Sequence, residues 1–244
     1  MAFTAWTATL VVVFGFGFFG LTSLALAWFQ ALEGVAGPVT ELGYGALVGI
    51  ILTVGVATQL HAPERHMAGI QQAALVVPAL LAGSALAADS ENVEAAVIVL
   101  VGVGILLILH PARREVVRRG ATFSRPLFAI TVAGAGPLVA YALEMGGQAQ
   151  HLAGPPHHVQ RLSTMAALAI AILLVGLLAS LRTRGWRIAA WSAGVAAIDF
   201  GLGSVVYPDH PAAAGIAWGG VALAGGLVFI AEAEREARRP APSG

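Results

Sequence analysis

The chain has 244 residues, 58% apolar and 11% charged, with 13 basic and 13 acidic side chains that cancel. A soluble domain carries about 25% charged residues, so this composition excludes a water-facing fold, and nothing in the sequence suggests nucleic-acid binding. There is no cysteine and no lysine, which removes disulfides, thiol catalysis, iron–sulfur clusters, c-type haem attachment and any lysine Schiff base.

Charges punctuate eight apolar runs of roughly the 17–25 residues that cross a hydrocarbon core about 30 Å thick. The first, Trp6 to Leu32, has no basic region ahead of it and is longer than a signal-peptide core, so it reads as a membrane helix. The second, Leu42 to Leu60, carries the small-residue spacing Gly45-x-x-x-Gly49 that lets helices approach closely. Met67 to Ala88 contains Pro78, expected to kink it. Ala95 to Leu109 is the shortest and is expected to run slightly past its flanking charges. Pro126 to Leu143 opens on a proline, a favoured first-turn residue. Leu162 to Leu181, Ile188 to Tyr207 and Ala212 to Ala231 follow, the last with Gly215-x-x-x-Gly219.

The expected fold is all-α: a polytopic membrane bundle of eight transmembrane helices. Residues 1–232 form a single helical domain and 233–244 a disordered tail. Arginine sets the orientation. With both termini in the cytoplasm, every arginine except Arg161 falls inside, while Glu33, Glu41, Asp89, Glu91, Glu94, Glu144 and Asp209 fall outside. An odd number of spans would scatter the arginines over both faces. The location expected is a cell (inner) membrane, with anionic lipid heads drawn to the arginine-rich face and oligomer or subunit contacts open to the glycine-rich helix faces.

Two places hold chemistry. His151, His157 and His158 stand beside Glu144 between helices five and six, and His210 lies in the turn Tyr207-Pro-Asp-His-Pro211. Imidazoles and carboxylates of this kind suit zinc, whose bound water would serve as a nucleophile. The spacing His-x5-His-His matches no standard ligand motif, and histidine is also at home at a membrane interface. The second place is Asp199, inside helix seven and about 12 Å below its outer end. Ionisable groups at such depth are costly and mark proton or substrate paths or glue helices together; there a carboxyl is expected to keep its proton and bond a neighbour.

His61 and His110 close helices beside arginines and complement the helix dipole. The two segments Leu60-His-Ala-Pro-Glu-Arg65 and Leu109-His-Pro-Ala-Arg-Arg114 echo each other. Nucleotide loops, nucleophile elbows and metalloprotease motifs are missing. The segments Gln59-Leu-His-Ala-Pro-Glu-Arg-His-Met-Ala-Gly-Ile-Gln-Gln72 and Ala153-Gly-Pro-Pro-His-His-Val-Gln-Arg-Leu162 resemble hydrophobic multi-pass proteins of high-GC actinobacteria; the likeness is one of composition and carries no functional residue across. Three functions remain open: a small-solute or proton-coupled transport module using Asp199, a metal-binding membrane enzyme using Glu144, His151, His157, His158 and His210, and a non-catalytic accessory or scaffold subunit.

Overall fold

The computed structural model describes residues 2–29, 37–115, 122–152 and 156–238, and among them there is helix and turn but no strand. Eight helices are long and apolar enough to cross a bilayer: α1 Ala2–Leu26, α2 Pro38–Leu60, α3 Met67–Ala87, α4 Glu91–Leu109, α5 Arg125–His151, α6 Pro156–Ser180, α7 Trp186–Val206 and α8 Gly215–Ala237. The expected eight runs are therefore present. The makeup is that of a multi-pass membrane protein.

Two helices form the interior, four the rim, and two lie between. In α2 and α6, 78% of the apolar window is buried, against 17% in α5 and 22% in α8; α1 and α4 also lie outside, while α3 and α7 are intermediate. The rim exposes Phe16, Val97, Ile108, Ile216 and Val228. Apolar surface on that scale needs a cover other than water, which fits the makeup of a multi-pass membrane protein.

Glycine sets the closest helix contacts. A Cβ at Gly49 would lie 2.5 Å from the Gly20 carbonyl oxygen, so α1 and α2 touch backbone to backbone. Likewise, a Cβ at Gly226 would lie 2.5 Å from the Gly194 carbonyl oxygen, joining α7 to α8. Neither α1 nor α2 is a regular helix. Val13–Gly17 and Ala46–Thr53 are π-helical, and Phe19, in the left-handed region at φ 57°, breaks α1 in two. π-turns inside α-helices often occur at functional sites.

Contacts at the helix termini define two ends of the bundle. At the arginine-rich end, Ala68 N–H donates to the Arg184 carbonyl (2.9 Å) and Ser124 N–H to that of Ser180 (2.8 Å). Ser124 also caps α5 through its hydroxyl, which accepts from Leu127 N–H at 3.2 Å. At the opposite end, Tyr141 donates to the Ala212 carbonyl at 2.6 Å and Gln150 to that of Leu86 at 2.7 Å.

Several boundaries differ from the sequence reading. Helix α5 runs on to His151 rather than ending near Leu143, and α6 starts at Pro156. The stretch around His151, His157 and His158 is thus mostly helix, and Glu144 lies about two turns inside α5. Gly146-Gly147 does not break the helix, because a Cβ at Gly146 would sit 2.6 Å from that of Leu86; its lack of a side chain serves packing against α3. Helix α3 passes through Pro78 without interruption. Helix α8 reaches Ala237, so the first part of the expected tail is helical; residues 239–244 lie outside the described residues.

Candidate functional site

A polar recess of about 460 Å³ opens at the end of the bundle opposite the arginine-rich one. One stripe of α6 forms one wall of it. His157, Gln160, Arg161 and Thr164 follow the i, i+3, i+4, i+7 spacing that places side chains on one helix face, and all four line the recess. Helix α2 supplies Thr40, Glu41 and Tyr44 across from them. Helix α1 completes the wall with Phe18 and Phe19 at its break, Ser23 and Leu26.

An ion pair holds the recess together. Arg161 Nη1 donates to Glu41 Oε1, and the two side chains are only 29% and 17% exposed. The second carboxylate oxygen of Glu41 accepts from Ser23 Oγ at 3.1 Å, and Arg161 Nη1 also reaches Thr40 Oγ1 at 3.5 Å. Glu41 lies in the first turn of α2, where the helix dipole favours a negative charge. Tyr44 Oη donates to the Phe18 carbonyl at 2.8 Å, which steadies the break at Phe19. Behind the recess, Asn92 Nδ2 donates to Ser163 Oγ (2.7 Å) and Thr164 Oγ1 (3.2 Å), tying α4 to α6.

The bundle interior carries two further polar groups. Gln72 Nε2 donates to Ser192 Oγ of α7 at 2.9 Å and to the Ile51 carbonyl in the π-helical part of α2 at 2.7 Å. Asp199 is two turns beyond Ser192 along the same face of α7, within about 20° at 100° per residue. Gly203, one further turn along, is on that face too, and a Cβ there would lie 3.0 Å from Leu42 Cδ1 of α2. This face of α7 therefore meets α2 and α3. Asp199 Oδ2 is buried and has no hydrogen-bond partner.

The histidines suggested by the sequence are spread among separate features. His157 lines the recess and meets His158 edge to face, with ring centroids 4.5 Å apart. His151 is the exposed last residue of α5. His210 sits in the turn after α7, where its Nδ1 accepts from Ala212 N–H at 3.0 Å. Glu144 accepts from Gln148 at 3.2 Å and borders a different cavity, between α5 and α8. Among the described residues no group of three His, Asp or Glu side chains gathers as a metal would need.

The ion pair that sequence reasoning passed over is Glu41–Arg161. The available signal was Arg161 itself, the arginine that stands apart from all the others.

Compared with protein-family models, with curated proteins and with solved structures, the chain matches none.

Proposed function

We propose that the protein is a proton-coupled translocator of a small polar solute. In this reading the arginine-rich end faces the cytoplasm with both termini, and the recess opens to the outside. The observation that carries the proposal is the Asp199 carboxyl oxygen, buried in a membrane-length helix without a partner. A carboxyl oxygen buried without a partner is costly to keep as a purely structural feature, whereas a site that takes and releases a proton needs a group left free to do so.

The recess supplies the solute end of the cycle. Glu41 and Arg161 present one acceptor and one donor fork side by side, so a zwitterion would exchange its ammonium and carboxylate for the two halves of the pair. Below them the Asp199 face of α7 leads on to Ser192 and Gln72. Solute binding that loosens Arg161 from Glu41 would change the field along this face and so couple to the proton on Asp199.

The test is proton flux in proteoliposomes carrying an internal pH dye, with small amino-acid-like zwitterions added outside. Wild type is expected to acidify the lumen when the transported zwitterion is added, Asp199→Asn to give no such signal, and Asp199→Glu to restore part of it. Equal zwitterion-driven proton flux in wild type and Asp199→Asn, or none in wild type across the zwitterion panel, would sink the reading.

A further inference from the structure

The second cavity, about 450 Å³, is a groove between α5 and α8 with α6 and α7 as its floor. Along α5 it runs from Ile130 to Glu144 and along α8 from Ala214 to Phe229. At 1.5 Å per residue each wall is about 21 Å long, more than the roughly 15 Å of one leaflet of a 30 Å hydrocarbon core.

The groove is made by missing side chains. A Cβ added at Gly225 meets nothing within 4 Å, and one at Gly134 meets only Leu138 Cδ1 at 4.0 Å. Its walls are hydrocarbon and aromatic: Leu138, Phe200, Trp218 and Phe229 among them.

Depth and charge say what fills it. From Arg125 at the start of α5 to Glu144 is about 29 Å, the thickness of the hydrocarbon core, so Arg125 and Glu144 stand at opposite interfaces. Glu144 is exposed, and among the described residues it takes part in no ion pair. A long apolar slot ending at headgroup level in an exposed carboxylate that no cation pairs matches an amphiphile with a hydrocarbon tail and a cationic, hydrogen-donating head.

We infer that this groove binds one tail of a membrane lipid whose head is a primary ammonium, with the ammonium on Glu144 and the tail between α5 and α8. The site is independent of the recess and of Asp199. Anionic heads are disfavoured there by like charge.

Trp218 lines the groove and reports on it. The protein is reconstituted in vesicles containing either phosphatidylethanolamine or phosphatidylglycerol brominated in the acyl chain, and the Trp218 signal is taken as the difference between wild type and Trp218→Phe. Brominated phosphatidylethanolamine is expected to quench with about fivefold higher apparent affinity. Glu144→Gln should bring that ratio close to one. Gly225→Leu, or Gly134→Leu if the former does not fold, should abolish the tight quenching by both lipids. Gly104→Leu, which also meets open space but lies on α4, should behave as wild type.

Equal quenching by the two lipids in wild type would overturn the headgroup assignment. Tight quenching that survives both glycine substitutions would overturn the groove itself. Trp218 shielded from both lipids, as a second copy docked on this face would leave it, would overturn lipid occupancy.

Discussion

The two ends of the bundle hold charge in opposite ways. At the arginine-rich end Arg184–Glu115, Arg187–Glu234 and Arg235–Glu232 pair on the surface, with arginine side chains 56–63% exposed. At the other end Arg161 and Glu41 pair inside a recess, held on a second side by Ser23. Exposed pairs gain little, because water and salt screen them. A half-enclosed pair costs desolvation and loses much more when one member is removed. The first end carries its pairs on the surface, and the second encloses one.

The largest effect expected is at Glu41. Glu41→Ala leaves the Arg161 guanidinium enclosed without its counter-charge and should cost about 2 kcal/mol, read as a lowered Tm in detergent. Glu41→Leu combined with Arg161→Met should recover most of that loss. A double variant as unstable as the single one would mean that packing, and not charge, governs the recess.

His110 gives the next effect, at the arginine-rich end. Its ring is buried, its Nδ1 accepts from Ala112 N–H at 3.1 Å, and its Nε2 faces Gln59 Oε1 at 3.2 Å. Those contacts require the neutral ring, with the proton on Nε2. Burial holds its pKa below the ordinary histidine value, against the opposing pull of the Glu64 charge and the Pro63 carbonyl. A histidine depressed in the folded state binds its proton more readily when unfolded, so its contribution is present above about pH 6.5 and is lost as pH falls through the folded value. Tm should therefore drop as pH falls below about 6.5, and His110→Asn should flatten that part of the curve. An unchanged slope in His110→Asn would assign the acid sensitivity elsewhere.

The smallest effect is at the surface pairs. Arg187→Ala should leave Tm within error near neutral pH even though Arg187 and Trp191 both bond Glu234. A clear loss would erase the contrast between the two ends.

The eight helices were legible because apolar runs of membrane length must be bounded by something polar, and here arginines and carboxylates mark nearly every boundary. Asp199 was legible for the same reason in reverse: a carboxyl within such a run stands out. The Glu41–Arg161 pair was not. Its members are 120 positions apart in sequence, and their meeting depends on how α2 and α6 are rotated against each other, which no periodicity encodes. The length of α5 was missed for a different reason: the run was read as ending at Leu143, ahead of Gly146-Gly147. Such a pair ordinarily signals a turn, but here the bare backbone lets α5 lie against Leu86 and continue for two more turns, which carries His151 away from a loop. The π-helical turns in α1 and α2 left no mark that sequence reasoning could use.

The proposal that Asp199 takes and releases a proton requires a path from its carboxyl to water, and the recess is the side from which to look for it. The chain has no cysteine, so Asp199→Cys provides a single thiol without further engineering. A small cationic methanethiosulfonate reagent applied from the recess side should label that thiol, and Thr164→Trp should slow the labelling by narrowing the way in. A thiol at position 199 that stays unreactive in the folded, membrane-embedded protein, while Glu41→Cys is labelled readily, would contradict the account.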